Sequence, residues 1–256
     1  MSDRNKKGQV TVFIILAIVI IVMIILFFVF KSQSLKSLLS KKNQGQIAFE
    51  KDTEVIHSMI QECMNAMGVD GARLSGLQGG PIILNENYRY IELNSSKVAY
   101  GNYRGSESLL SLSDIEGQIA EYIDLTFQFC IESFEINNVN IEFQGIDSKV
   151  NIKPKQINFN SKIKISLEKE DNSIYINKNY EEEVPIDIYG VYETAKEIID
   201  KENENPGSLD LTYLASSEYQ ISVVPYRDDT MIYIINDENE ENSEYYYSFR
   251  FGSNVR

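Results

Sequence analysis

A run of 21 residues from Val10 to Phe30 constrains this chain more than any other feature. Thr11 is the only polar residue within it. An α-helix of this length is about 32 Å long, which matches the hydrocarbon thickness of a bilayer. A helix that is apolar on every face has no side to present to water. The run therefore predicts a single transmembrane helix at residues 10–30.

A cleaved secretory signal is the alternative to a membrane anchor. The apolar part of such a signal usually spans about 7–15 residues and ends in small residues at the cleavage site. Here the run is longer, and the bulky side chains of Phe27, Phe28 and Phe30 stand at that end. We therefore expect the helix to be retained, with residues 1–9 as a cytoplasmic tail and residues 31–51 as a stalk or linker.

Charge is divided unevenly along the chain. The 256 residues include 24 Lys and Arg against 38 Asp and Glu, and residues 1–42 hold seven of those bases and one of those acids. Residues 43–256 therefore carry a net charge of −20. Binding to nucleic acid needs concentrated Lys and Arg, so this balance argues against a nucleic-acid partner. About 210 residues suffice to bury a core as one large or two small domains.

The segment that leads into the apolar run carries a recognisable pattern. Lys6, Lys7 and Gly8 precede Gln9 and the hydrophobic helix. This pattern resembles the class III signal peptides of archaeal type IV pilin-like proteins. The resemblance implies cleavage between Gly8 and Gln9 on the cytoplasmic side, with the helix retained. Many such pilins carry Glu at the fifth mature position, where this chain has Phe13.

A second resemblance spans most of the chain. The order of its segments resembles that in a group of uncharacterised archaeal single-pass membrane proteins. These segments are the tail, the apolar helix, a Cys-bearing helix, the glycine loop at residues 76–80, a second Cys-bearing helix and a strand-rich half. That group implies a location and no activity.

Orientation is less firmly indicated than membrane insertion. The tail bases favour a cytoplasmic N-terminus, whereas Lys31, Lys36, Lys41 and Lys42 on the other flank favour the reverse. Long domains translocate largely regardless of such charges. We expect the C-terminal part to lie outside the cell, where Asn94 of the Asn94-Ser95-Ser96 sequon becomes a glycosylation candidate.

Periodicity predicts an α+β fold after the membrane helix, with two or three amphipathic helices and mainly antiparallel strands. Residues 52–135 form a helix-strand-helix region, and residues 136–256 form a β-meander, a helix and a C-terminal hairpin. The first soluble helix is expected at residues 52–67, with Gly68 and Gly71 at its end. Ser113 and Glu116 have the spacing of a capping box that starts the second helix. Its expected buried stripe consists of Ile115, Ile119, Tyr122, Ile123, Thr126, Phe129 and Cys130.

Alternation of apolar and polar residues predicts the strands. It spans residues 136–188 and is typical of a meander with one solvated face, with turns at Asp147-Ser148 and residues 171–173. A helix is expected at residues 191–201, followed by a hairpin at residues 219–224 and 230–235 and a last strand at residues 245–251.

The two cysteines fall late on the buried faces of the two Cys-bearing helices. If these helices pack together, a Cys63–Cys130 disulfide is the expected pairing, and an oxidising exterior favours it. Two buried free thiols are the alternative, because cysteine is also a common small core residue.

Candidates for chemistry are few. His57 is the only histidine, and neither a nucleophile elbow nor a zinc ligand set is present, so we expect no enzyme, metal or cofactor. The glycines at residues 76–80 lack the spacing of a phosphate loop and indicate a tight turn or a close backbone approach. Three acidic clusters could hold calcium but are expected to be solvated loop acids: Glu181–Glu183, Glu202 with Glu204, and Asp237–Glu241.

Two blocks of opposite charge suggest an interaction. Residues 149–169 hold six lysines and one acid, whereas residues 181–244 hold 18 acids and three bases. Edge-strand lysines commonly guard against pairing, and contact between the two blocks of neighbouring subunits is the alternative.

The sequence therefore predicts a single-pass membrane protein of the cell surface. Its expected role is structural or adhesive, with pilin-like assembly as one form of it and the bilayer as its first partner. A tethered module that binds an extracellular ligand or protein is the second hypothesis. Carbohydrate cleavage by paired carboxylates ranks third.

Overall fold

A disulfide joins the first two helices of the fold. The computed structural model describes residues 53–93, 96–134, 138–170, 172–237 and 245–255. Two units divide the chain, Met1–Val55 and Ile56–Arg256, and the fold below is that of the second. Helix α1 covers residues 53–78, and helix α2 covers Leu112–Glu132. A disulfide joins Cys63 to Cys130 with their Cα atoms 5.8 Å apart, which confirms the predicted pairing.

Helix α1 continues eleven residues beyond its predicted end at Met67. Gly68 and Gly71 lie inside the helix, so the prediction that they terminate it is wrong. A Cβ atom on Gly68 would come within 2.5 Å of the Phe159 ring, and one on Gly71 would come within 3.0 Å of the Tyr122 ring. Both glycines therefore serve close packing rather than a turn.

The glycine loop ends helix α1. Gly79 and Gly80 have φ angles of +83° and +114°. Their N–H groups donate to the carbonyls of Gly76 and Ser75. Positive φ at the end of a helix favours glycine, and these hydrogen bonds satisfy its last carbonyls. The interpretation of this segment as a turn with positive φ is confirmed, and the preceding three residues are the last turn of the helix.

The N-cap of helix α2 lies two residues before the predicted cap, Ser113. Ser111 is the N-cap, and its hydroxyl accepts the N–H of Asp114 at 3.2 Å. The prediction placed Phe129 on the buried stripe, but its side chain is 72% exposed. The buried side follows i, i+4 spacing instead, through Ile115, Ile119, Ile123, Phe127 and Ile131.

Three consecutive long strands form the predicted meander. They are β4 (Asn140–Lys153), β5 (Gln156–Lys169) and β6 (Asn172–Val184), and they pair antiparallel in the order β4-β5-β6. The expected turn at Asp147-Ser148 is wrong, because both residues lie within β4. Ser148 is buried there, and its hydroxyl lies 2.7 Å from that of Ser161 on β5. The first turn instead lies at residues 154–155.

The other six strands form a second sheet. Their order is β1-β2-β9-β8-β7, with β3 paired to β2. The pair β2–β9 is parallel and the remaining pairs are antiparallel. The predicted hairpin and last strand are present as β7, β8 and β9. The bounds are β1 Tyr90–Leu93, β2 Ser96–Tyr103, β3 Ser106–Glu107, β7 Gln220–Pro225, β8 Thr230–Asp237 and β9 Tyr247–Asn254.

Two helices separate β6 from β7. Helix α3 covers Ile188–Glu204 and is longer than predicted at both ends. The carboxylate of Asp187 caps it by accepting the N–H of Gly190 at 2.9 Å. Ile188 therefore starts a helix rather than ending a strand. Helix α4 (Leu211–Ser216) is short, and the periodicity did not predict it.

The core lies between the helices and the inner faces of the sheets. Rings of Phe127 on α2 and Phe143 on β4 lie 5.8 Å apart, and Gly68 of α1 lies against Phe159 of β5. Helix α3 contacts β2, β4, β5, β8 and β9, so it links the two sheets. The fold is therefore α+β with four helices and mainly antiparallel strands in the described part of the chain.

Several predictions made from the N-terminal sequence lie outside the described residues. These are the tail, the helix at residues 10–30, the stalk and the site at Gly8 and Gln9. Asn94 is also outside them. Within the described ranges, no helix is both long and apolar enough to cross a bilayer.

The close approach at Gly68 predicts a large effect of one methyl group. Gly68→Ala should lower the free energy of unfolding by about 1–3 kcal/mol, because the buried Phe159 ring has to move. Gly117→Ala is the matched control, since nothing lies within 4 Å of a Cβ atom at that exposed position of α2. It should raise stability by about 0.5–1 kcal/mol through helix propensity. Chemical unfolding of both variants measures the difference, and equal effects would contradict the packing role of Gly68.

Candidate functional site

The outer face of the three-stranded sheet is polar along its length. Alternation places one set of side chains against the helices and the other set in solvent. The rows that cross the outer face are set by the pairing register. Three of them are Asn151–Asn158–Glu183, Lys149–Asn160–Glu181 and Asp147–Lys162–Asn179.

Charge is unevenly distributed across this face. Strand β4 carries outward lysines as well as the outward carboxylate of Asp147, β5 carries the outward Lys162, and β6 carries the outward carboxylates of Glu181 and Glu183. Amide side chains of β5 donate to the carboxylates of β6: Asn160 donates to Glu181 at 2.7 Å, and Gln156 donates to Glu183 at 3.0 Å. Part of the acidic block of the sequence thus lies in the same sheet as the basic block, and Glu181–Glu183 are strand residues rather than loop residues.

Acidic side chains of α2 cover the β4 edge of this sheet. Glu116 accepts the backbone N–H of Ile152 at 2.7 Å. Asp124, also on α2, lies beside Ser148 of β4. Burial raises the pKa of Asp124, and hydrogen bonds from the hydroxyl and backbone N–H of Ser148 partly offset that rise. An edge strand whose N–H groups are satisfied by a helix has few donors left for a further strand.

The β6 edge is different. Among the described strands, none pairs with the outer side of β6, so its 13 residues form an open edge. Lys178 lies opposite the buried Ile163 and yet is exposed, which places a charge on the inner side of the edge strand. Such inward charges limit the registers in which a further strand can pair.

His57 packs beneath this edge. Its Nδ1 lies within hydrogen-bond distance of the Tyr180 hydroxyl on β6. Burial lowers the pKa of His57, and the nearby charge of Lys178 lowers it further. Burial also raises the pKa of Tyr180 to about 12. The contact joins α1 to β6 through a neutral pair at neutral pH, so the histidine has a structural partner.

Glu202 was expected to be a solvated loop acid, and this prediction is wrong. It lies in α3 and is only 7% exposed. Its carboxylate accepts hydroxyl hydrogen bonds from Tyr233 at 2.7 Å and Ser253 at 2.5 Å. Burial raises the pKa of Tyr233, and Glu202 raises it further. Glu202 therefore anchors the last turn of α3 to β8 and β9.

Two carboxylates line a small cavity next to the last turn of α3. It has a volume of about 100 Å³, and Glu202 and Asp229 both line it. Asp229 is exposed, and both oxygens of Glu202 are engaged by hydroxyl groups. Glycoside cleavage uses two carboxylates that flank the bond. This geometry gives Glu202 a structural role.

The remaining predicted sites are distributed across the fold. Asp237 ends β8, and burial followed by repulsion from Asp187 and Glu218 raises its pKa. Residues 238–241 of that acidic cluster are outside the described ranges. In the part of the chain that the structure describes, no three His, Cys, Asp or Glu side chains come together as a metal site.

Comparison with known proteins found no match to this chain. No protein family matches the sequence, and no curated protein or solved structure is similar enough to count as a match. The function of the chain must follow from its own residues.

The raised pKa of Asp124 predicts that the stability of the protein depends on pH at this residue. A carboxyl whose pKa is raised by folding costs stability once pH exceeds its ordinary value of 3.8, because the folded state then resists ionisation. Asp124→Asn cannot ionise and keeps an oxygen for Ser148. We expect it to melt at a higher temperature than the unmodified protein at pH 7 and at the same temperature at pH 3.

Thermal unfolding at the two pH values measures this difference. Asp200→Asn, on an exposed position of α3, is the control for a change of net charge alone. A lower melting temperature of Asp124→Asn at pH 7 would show that the ionised carboxylate stabilises the β4 edge.

Proposed function

We propose that this protein is a membrane-anchored cell-surface protein with a structural or adhesive role. The open edge of β6 carries the proposal. Its outer side, which no described strand pairs with, offers a row of backbone donors and acceptors along 13 residues to another strand. The helix at residues 10–30 is the proposed anchor, and the disulfide supports an oxidising compartment outside the cell.

A second copy of the chain is the proposed occupant of this edge. When two β6 strands pair antiparallel about Asn179, Lys178 lies opposite Tyr180 of the other copy and Glu181 lies opposite Asn177. No like charges face each other in that register. Pairing about Lys178 would set two lysines opposite each other, which is unfavourable. Lys178 therefore disfavours the register centred on itself, and the register centred on Asn179 is the one we propose.

Pilin-like assembly is one form of this role. The N-terminal resemblance supports it, since cleavage between Gly8 and Gln9 would leave a hydrophobic N-terminal helix able to pack with those of other subunits. Contact through β6 and contact through the N-terminal helix would use different segments of the chain.

Cross-linking tests the contact at residue level. The Asn179→Cys variant of the full chain in membranes should form a disulfide-linked dimer, because directly opposite residues of antiparallel strands lie within disulfide reach. Asn160→Cys, on the outer face of the central strand β5, is the matched control. Non-reducing electrophoresis measures the dimer fraction. Equal dimer fractions in the two variants would contradict pairing through β6.

A further inference from the structure

One cavity is lined by an arginine and two tyrosines. It has a volume of about 170 Å³ and lies between the end of α1 and the strands β1 and β2. Its walls include Gly79, Asn87, Tyr88, Arg89, Tyr100 and Ser108. Carboxylates outnumber bases in this protein, so an arginine at a cavity is informative.

Two guanidinium groups converge beside this cavity. Cζ of Arg89 lies 4.5 Å from the centre of the Tyr103 ring, and Cζ of Arg104 lies 5.4 Å from it. The Tyr100 ring packs edge-on against Tyr103 at 5.2 Å. Neither arginine forms an ion pair with a carboxylate of the described residues. Both arginines are exposed to solvent, and each guanidinium group lies near the ring of Tyr103.

The backbone of the cavity offers little to an anion. The N–H groups of Gly79, Tyr88, Tyr100 and Ser108 donate to carbonyls of the chain, and that of Asn87 donates to Asn85. Phosphate sites usually depend on several free backbone N–H groups. An anion in this cavity would have to be held by side chains. The planar fork of Arg89 matches a carboxylate, which it can bind through two parallel hydrogen bonds.

The other wall groups fit the rest of a sugar ring. Tyr88 and Tyr100 are half-buried and present apolar ring surface, whereas Asn87 and Ser108 are exposed and offer an amide and a hydroxyl. Aromatic faces pack against the C–H groups of a sugar, and amides and hydroxyls bond to its hydroxyls. We propose that this cavity binds a carboxylate-bearing saccharide unit, with Arg89 on the carboxylate.

Such a site would let the protein hold an acidic glycan of a cell envelope. The proposal does not depend on the β6 contact, since the two sites use different strands. Glucuronate binding by the disulfide-linked Asn179→Cys dimer would show that the glycan site and the β6 contact can be occupied at the same time.

Titration calorimetry of the full chain in detergent tests the proposal with three probes: glucuronate, glucose and glucose 6-phosphate. We expect glucuronate to bind at least about tenfold more tightly than glucose, because a charge-assisted hydrogen-bond pair contributes most of the affinity. Arg89→Gln should weaken glucuronate binding by about tenfold or more. Arg227→Gln, in the turn between β7 and β8, should leave it unchanged.

Arg89→Lys serves as the second variant, because it keeps the charge and loses the planar fork. We expect its affinity for glucuronate to lie between those of the unmodified protein and Arg89→Gln. Binding of glucuronate that is equal to that of glucose, or insensitive to Arg89, would overturn the proposal. Tighter binding of glucose 6-phosphate than of glucuronate would overturn the carboxylate assignment.

Discussion

The bond between Cys63 and Cys130 holds together the helix pair on which the rest of the structure depends. It closes a loop with a sequence separation of 67, which contributes roughly 4 kcal/mol in the chain-entropy model. Helices α1 and α2 run antiparallel, because Gly71 lies against Ile119 and Tyr122 while Cys63 meets Cys130. With the helices held in this way, Gly68 meets Phe159 and the pair lies on the inner face of the three-stranded sheet.

The position of α2 makes the two edges of that sheet unequal. Glu116 accepts the N–H of Ile152 on β4, and Asp124 lies beside Ser148 of the same strand although burial opposes its ionisation. Strand β6, on the far side of the sheet, has no such helix contact among the described residues. Helix α2 thus covers part of the β4 edge, and the proposed contact uses the β6 edge. Lys178 restricts that contact to particular registers.

Local patterns in the sequence were sufficient for most of the elements and for the disulfide. Alternation identifies β4, β5 and β6 because their inner side chains are apolar and their outer ones are polar. The cysteine pairing follows from two buried helix faces. The length of α1 could not be predicted, because Gly68 resembles a helix terminator until the ring of Phe159, 91 residues later, is placed against it.

Features formed by distant segments were beyond local patterns. Glu202 is buried only because Tyr233 and Ser253 arrive from two later strands. The cavity at Arg89 combines the end of α1 with β2, and its single strong signal in the sequence is an arginine in a chain rich in acids. Phe129 was assigned to the buried face from its i, i+3 spacing to Thr126, whereas the residues that are buried follow i, i+4 spacing from Ile115 to Ile131.

The proposed surface location depends on the oxidised state of the two cysteines, and its pilin-like form depends also on cleavage of the N-terminus. Intact mass spectrometry of the native protein under non-reducing conditions measures both at once. The account predicts a chain that is two hydrogens lighter than its reduced form, and its pilin-like form predicts that this chain begins at Gln9. Two free thiols at Cys63 and Cys130 would contradict the surface location, and a chain that begins at Met1 would contradict the pilin-like form.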